Sequence, residues 1–347
     1  MDRQAEYSIH VEEKTRSLHA GLDLLGYGSC RPRIHTAPLE DGFRSRAKFK
    51  IFTDDGAARM CGTDPVCGEV PLDGMLWILP VWARGMVVLL QEALLSAQGE
   101  YPVDGLEMKL AHGRQEAHLT LSVRKGRGPS YEPLAAQLLS GFHEIRGVAV
   151  PSRRESYGEE WIRNRIDGLE CIAHCSAFFQ SHPGLTPRLL RELREISGGH
   201  GGRRIIDLYC GVGLLSLSLA SHHTPILGVD NHAGAVDSAG RNADLLGSLQ
   251  ARFVCSRVES HIASLDIRPD DLVLLDPPRS GCPAAAIRTI AGKGPREVCL
   301  ISCKPQTQFR DLSIWRASGY SLRRMSALDM FPFTEFLETV ALLEKQD

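Results

Sequence analysis

No stretch of this chain is long and apolar enough to cross a bilayer. The longest candidate, residues 75–95, is broken by Pro80, Arg84, Gln91 and Glu92, whereas a span needs about 20 apolar residues. The start, Met1-Asp2-Arg3-Gln4-Ala5-Glu6, is charged and leads into no hydrophobic segment, so no secretory signal is expected. An excess of one charge is also missing: 40 lysines and arginines against 42 acids leave a formal net charge of −2. Bulk attraction to a polyanion is therefore excluded, and a nucleic-acid site has to come from local clustering. The 10 cysteines follow no regular spacing and include no Cys-x-x-Cys pair. They read as reduced thiols, and cytoplasm is the expected compartment. Cys171 and Cys175 flank His174 like half a metal site without a second half, so core packing is expected there and no metal.

What is present suffices for two cores: 347 residues, 43% of them hydrophobic, with no internal repeat. In the segment from Phe43 to Ile51, Arg44, Arg46, Lys48 and Lys50 occupy every second position, with Phe43, Ala47, Phe49 and Ile51 between them. On a strand, period two gathers the four cations on one face, suited either to RNA phosphates or to solvent. Arg124, Lys125, Arg127, Arg153, Arg154, Arg163 and Arg165 add to such a site only if they fold to the same side. A helix is expected over 13–25 through Leu18, Leu22 and Leu25, another over 86–96, and a strand over 119–124. The polar stretch 153–167 places a domain boundary near 168–171. Beyond it the pattern alternates: strands at 204–208, 225–229, 252–254, 272–275 and 298–301, helices at 214–221, 233–246 and 307–317, with a glycine-rich turn at 197–202. Alternation of this kind implies a parallel, doubly wound sheet.

Chemistry-bearing residues fall at the ends of these strands, where such sheets bind ligands. Asp207-Leu208-Tyr209-Cys210-Gly211-Val212-Gly213 closes one strand and opens a helix. Its two glycines permit close approach of a ligand, but Ser216 stands where a dinucleotide fingerprint wants a third glycine. Asp230, at the end of the next strand, is placed to accept from ribose hydroxyls. Asp276-Pro277-Pro278-Arg279-Ser280-Gly281 follows a third strand, Ile301-Ser302-Cys303-Lys304-Pro305 a fourth, and Asp329-Met330-Phe331-Pro332-Phe333-Thr334 leads to Glu338 and the run Val340-Ala341-Leu342-Leu343.

In this order the four segments resemble the RNA uracil-C5 methyltransferases, which use S-adenosylmethionine and a cysteine nucleophile. The resemblance covers nearly all of the C-terminal half and thinly the first. It implies Cys303 as the nucleophile and Glu338 as the proton-abstracting base; Lys304, next to Cys303 in sequence, is placed to favour the thiolate. It further implies Gln180 (of Phe178-Phe179-Gln180), Tyr209, Gly211, Gly213, Asp230 and Asp276 as cofactor contacts. Leu214, His182 and Lys304 depart from the residues usual at their positions. The early cysteine cradle that holds an iron–sulfur cluster in ribosomal members is absent, with Cys67 the one remnant position, so no cluster is expected.

The expected architecture is α/β: an N-terminal α+β RNA-binding domain over 1–170 and a Rossmann-like class I methyltransferase domain over 171–347. The expected reaction is methylation of carbon 5 of a uridine in RNA through a covalent bond from Cys303 to carbon 6, with 23S ribosomal RNA favoured over transfer RNA. No protein partner is evident. Two rivals stay open: methylation of cytosine carbon 5 or of an exocyclic amine, and an RNA-binding protein without catalysis. Arg279 after Asp-Pro-Pro, where amine methyltransferases carry an aromatic, speaks against the amine chemistry.

Overall fold

The computed structural model describes residues 3–39, 42–54, 57–64, 68–124, 129–198 and 202–346. Cys67, Lys125 and Arg127, and residues 199–201 of the glycine-rich turn, lie outside these. Two compact units form: Met1–Ala37, Ser176–Phe179 and Gly184–Asp347 make one, and Pro38–Cys175 with Gln180–Pro183 the other. Strands are numbered in chain order.

The first unit is built on an eight-stranded sheet. Its order is β1 (Ile34–His35), β16 (Tyr320–Leu328), β17 (Glu338–Lys345), β15 (Glu297–Ser302), β14 (Leu272–Leu275), β11 (Ile205–Leu208), β12 (Ile226–Asp230) and β13 (Ala251–Cys255). Only β17 runs antiparallel to its neighbours among these pairs. The central strands are apolar almost throughout and fully buried, as a sheet covered on both faces requires. Helices Leu214–Leu219, Ala233–Leu245, Ala284–Lys293 and Pro305–Ala317 supply crossovers. Strand order reverses between β11 and β14, so the ligand crevice of this sheet lies at their carboxyl ends. The five expected strands and three expected helices of this half all form, with ends shifted by a few residues.

The expected boundary does not hold for the chain's first residues. Helix Arg3–Leu24 buries Leu18 and Leu22 in one core with Leu312, Trp315 and Tyr320, and Ile34 pairs with Ala327 on β16. Residues up to 37 therefore belong to the first unit. Helical spacing showed that an apolar stripe exists, but not which core receives it.

The second unit holds a seven-stranded sheet, ordered β4 (Gly68–Pro71), β3 (Ala57–Asp64), β2 (Arg46–Asp54), β5 (Gly105–Leu110), β6 (Ala117–Ser122), β7 (Ile145–Val150) and β8 (Glu155–Gly158). Helices Val81–Ser96 and Glu132–Gly141 share its core. A separate hairpin pairs β9 (Trp161–Ile166) with β10 (Leu169–His174). The expected boundary at 168–171 falls on this hairpin and is corrected by it. Asp167 and Gly168 both have positive φ, 51° and 83°, the conformation a two-residue hairpin turn demands. No helix among the described residues is long and apolar enough to cross a membrane.

Candidate active site

The register of the parallel strands lines up two carboxyls and a tyrosine. Leu208 pairs with both Val229 and Leu275, so the next residues, Tyr209, Asp230 and Asp276, leave neighbouring strands in one row. Asp207 sits two residues deeper and is buried; burial first, and Asp230 nearby, push its carboxyl up to about 6, with Ser216 opposing. Asp276 is raised for the same reasons: burial, then Asp207 and Asp230. Asp230 organises the turn around it. Its Oδ2 accepts from the Gly211 amide at 3.0 Å and its Oδ1 from the His232 amide at 2.9 Å, while His232 caps helix Ala233–Leu245.

The two glycines of the turn have different jobs. Gly211 (φ 53°) faces open space, so nothing would meet a Cβ there. At Gly213 (φ 77°) a Cβ would press Leu217, Ala239 and Phe253 at 3.1–3.2 Å. Gly211 thus leaves room for a ligand, whereas Gly213 lets the helix behind it pack. Leu214 is a buried core residue that starts this helix. The Tyr209 hydroxyl donates to Glu259 at 2.9 Å, fixing the ring at the edge of the crevice.

Cys303 and Glu338 come together through the β15–β17 ladder. Ser302 pairs with Thr339 in antiparallel register, and the Leu337 amide donates to the Cys303 carbonyl at 3.2 Å, so Cys303 leaves its strand alongside Glu338. Glu338 is 3% exposed, and burial, then Asp276, hold its carboxyl well above the usual carboxylate range. Burial, then Glu338 and Asp276, push the half-buried Cys303 thiol up to about 12; Arg279 opposes this by charge and by hydrogen bond.

The cation acting on the thiol is therefore Arg279, which corrects the expectation placed on Lys304. Lys304 Nζ lies 4.0 Å from Glu335 instead. Arg279 is held from two sides: its Cζ stands 3.9 Å from the Phe336 ring centroid and 5.8 Å from that of Phe331, and its carbonyl accepts from Thr307 at 3.2 Å. Its loop is tied to the helix after Cys303, since Asp311 accepts from the Cys282 amide at 2.8 Å and Arg310 donates to the Ser280 carbonyl at 2.9 Å. Arg279 was not singled out as a site residue, although its place next to Asp276-Pro277-Pro278 was the available signal.

The remaining expected site residues belong to the second unit. Phe178 and Phe179 lie in the first unit, but Gln180 groups with the second, its carbonyl accepting from Ser45 at 3.3 Å. His182 is buried against Phe43, and burial, then Arg44, lower it to about 3, which marks a neutral packing residue. The alternation at 43–51 is as expected: Phe43, Ala47, Phe49 and Ile51 are buried, Lys48 and Lys50 exposed, Arg44 and Arg46 half-buried. Arg44 precedes β2 rather than lying on it, and reaches Ser181 at 3.4 Å. The face is less basic than the sequence implies, because Glu107 on β5 pairs with Arg46 and, at 3.7 Å, with Lys48. Arg163 and Arg165 sit on the separate hairpin in ion pairs with Glu159 and Glu170.

A family model described as tRNA (Uracil-5-)-methyltransferase matches residues 257–346, and one described as methyltransferase small domain matches residues 185–286. The first stretch contains Asp276, Arg279, Cys303 and Glu338. An uncharacterized RNA methyltransferase of Gloeobacter violaceus is 28% identical, covering 98% of this chain and 79% of its own. Another, from Thermosynechococcus vestitus, is 36% identical over 69% of this chain; the chain spans 56% of that relative's length. Among solved structures, the Pyrococcus abyssi tRNA (uracil-54, C5)-methyltransferase in complex with S-adenosyl-L-homocysteine shares the fold, with a TM-score of 0.73 at 21% identity over 97% of this chain and 83% of that one. The family model falls on the stretch that brings thiol, carboxyl and arginine together: in residues 257–346 the chain carries the domain described as tRNA (Uracil-5-)-methyltransferase.

Proposed function

We propose that the protein methylates carbon 5 of a uridine in RNA, with S-adenosylmethionine as donor and Cys303 as nucleophile. The observation that carries this reading is the pairing of Ser302 with Thr339, which sets thiol and carboxyl side by side at the end of the sheet, with Arg279 facing the thiol.

The crevice suits this cofactor. Gly211 leaves open space where the turn meets a ligand, and Asp230 has acceptor capacity left for ribose hydroxyls beyond its two amide bonds. The acids Asp207, Asp230 and Asp276 favour a ligand that is itself cationic. Bound there, S-adenosylmethionine supplies an electrophilic methyl group. Replacing Asp230 by alanine is expected to cost about 1.5–3 kcal/mol of cofactor affinity, the worth of a charge-assisted hydrogen bond. Titration calorimetry measures it; an unchanged affinity would leave Asp230 with the turn alone.

The residues then divide the chemistry. Carbon 5 of uracil is too weak a nucleophile unaided. Addition of the Cys303 sulfur to carbon 6 moves the ring electrons onto the enolate, with density at carbon 5, and carbon 5 takes the methyl group. Arg279 favours the thiolate form that this addition needs. Glu338, as carboxylate, then removes the carbon-5 proton; the double bond re-forms and the Cys303 thiolate is expelled. The uracil has to leave the base stack for carbon 6 to be reached.

The face of Arg46, Lys48 and Lys50 is our candidate for the RNA backbone. Changing Arg46 and Lys48 together to alanine should lower the salt dependence of RNA binding by about 0.7 per lost phosphate contact on a single strand, without touching cofactor affinity. An unaltered slope would return the face to solvent. Ribosomal RNA is our favoured substrate class, on the sequence of the Glu338 strand. Nucleoside mass spectrometry of separated ribosomal and transfer RNA from cells with and without the gene tests both points. Loss of 5-methyluridine from one fraction identifies the class; loss of a methylated cytidine or adenosine instead would reject the reading.

A further inference from the structure

We propose that Lys14 is a positioning residue for this reaction: its ammonium fixes the loop 329–337 so that Phe331 and Phe336 hold Arg279 against Cys303. Lys14 lies on helix Arg3–Leu24, more than 260 residues from any of the motifs at issue, and is 8% exposed. Its Nζ donates to Asp329 Oδ1 at 2.6 Å, to the Phe331 carbonyl at 2.9 Å and to the Phe336 carbonyl at 2.8 Å. Three acceptors match the three protons of an ammonium.

What these acceptors have in common is the loop between β16 and β17, which has no helix or strand of its own and carries a positive φ of 60° at Phe333. The same helix meets the loop at two further points: the Tyr7 ring lies 5.5 Å from the Phe333 ring, and His10 Nε2 lies 3.0 Å from the Thr334 carbonyl. Inside the loop, Phe331 and Phe336 meet edge to face at 6.0 Å, and both face the Arg279 guanidinium. Among the described residues, the groups facing Cys303 are Glu338, Asp276 and Arg279, and of these Arg279 alone works in favour of the thiolate.

A buried ion pair is a poor way to stabilise a core, since well-packed apolar residues of the same volume do as well or better. What the ammonium adds here is geometry, because it holds two carbonyls and a carboxylate at set points. Each held carbonyl belongs to one of the two aromatics that carry Arg279.

The test uses the full chain and three variants: Lys14→Met, Asp329→Asn and the double variant. The proposal rests on Cys303 as the nucleophile, so its main readout needs no methyl transfer: the rate of iodoacetamide alkylation at Cys303 against pH, mapped by peptide mass spectrometry. Lys14→Met should move the Cys303 profile to higher pH and slow alkylation at least tenfold at a fixed pH near 8. Turnover should fall in parallel, with the KM for S-adenosylmethionine unchanged. The double variant removes the uncompensated buried charge, so it should regain melting temperature without regaining thiol reactivity. It also serves if Lys14→Met alone does not fold. A Cys303 profile unchanged in either folded variant overturns the proposal. So does a double variant in which reactivity returns together with stability, because the pair would then be structural only. A profile that shifts in Lys14→Met, while the unaltered chain methylates no uridine, would reject the proposed reaction and leave the Lys14 effect standing.

Discussion

Cys303→Ala protein is expected to fold, to bind S-adenosylmethionine with normal affinity and to transfer no methyl group. The side chain is half-buried at a strand end and small, so its truncation removes one sulfur from a site that is not part of either apolar core. The cofactor turn on β11 and β12 is untouched. Without addition at carbon 6 no enolate forms, and the expected loss is on the order of 10⁵-fold or more, comparable to removal of a covalent nucleophile elsewhere. Lys304, Arg279 and Glu338 offer no substitute. Single-turnover methylation with labelled cofactor measures this loss, and residual methylation of uridine within tenfold of the natural protein would reject the covalent route.

Glu338→Gln is expected to stop the reaction later. Burial raises this carboxyl and disfavours its charged form, so a neutral glutamine of closely similar shape should not destabilise the fold. The thiol can still add and carbon 5 can still take the methyl group. The carbon-5 proton then has no acceptor, and turnover should drop by roughly 10²–10⁴-fold, the usual worth of a general base. The protein should accumulate as an RNA adduct that survives denaturation and already carries the methyl group. The double variant with Cys303→Ala should give no adduct. Normal turnover in Glu338→Gln without a trapped species would move the base to another residue.

Much of the methyltransferase-like unit was legible because its signals are local. The strands at β11, β12, β14 and β15 announce themselves as short apolar runs, and the acids and the thiol follow them directly in sequence. Parallel pairing then aligns Asp230 with Asp276 without further information. The basic alternation at 43–51 was read correctly as a face, but its neutralising partner Glu107 lies 61 residues from Arg46, and no local pattern connects them. The same limit hid the first 37 residues, whose helix finds its core beside Trp315 and Tyr320. Lys304 drew attention as the cation next to Cys303, whereas the ladder geometry turns it toward Glu335 and brings in Arg279 from another loop. Adjacency along the chain is a weak guide to which side chains meet beyond a strand end. The Asp167-Gly168 turn is a different matter: its hairpin signal was local and stood between two strand patterns, but the polar flanks disguised them.

The central claim is that Cys303 bonds to carbon 6 of a uracil while carbon 5 is methylated. RNA containing 5-fluorouridine tests it most directly, because fluorine cannot be removed from carbon 5 as a cation and the intermediate is held. Incubation with S-adenosylmethionine, followed by protease digestion and peptide mass spectrometry, should find the peptide bearing Cys303 linked to a fluorouridine that has gained one methyl group. An RNA left unlinked, or an adduct on any cysteine other than Cys303, would contradict the account.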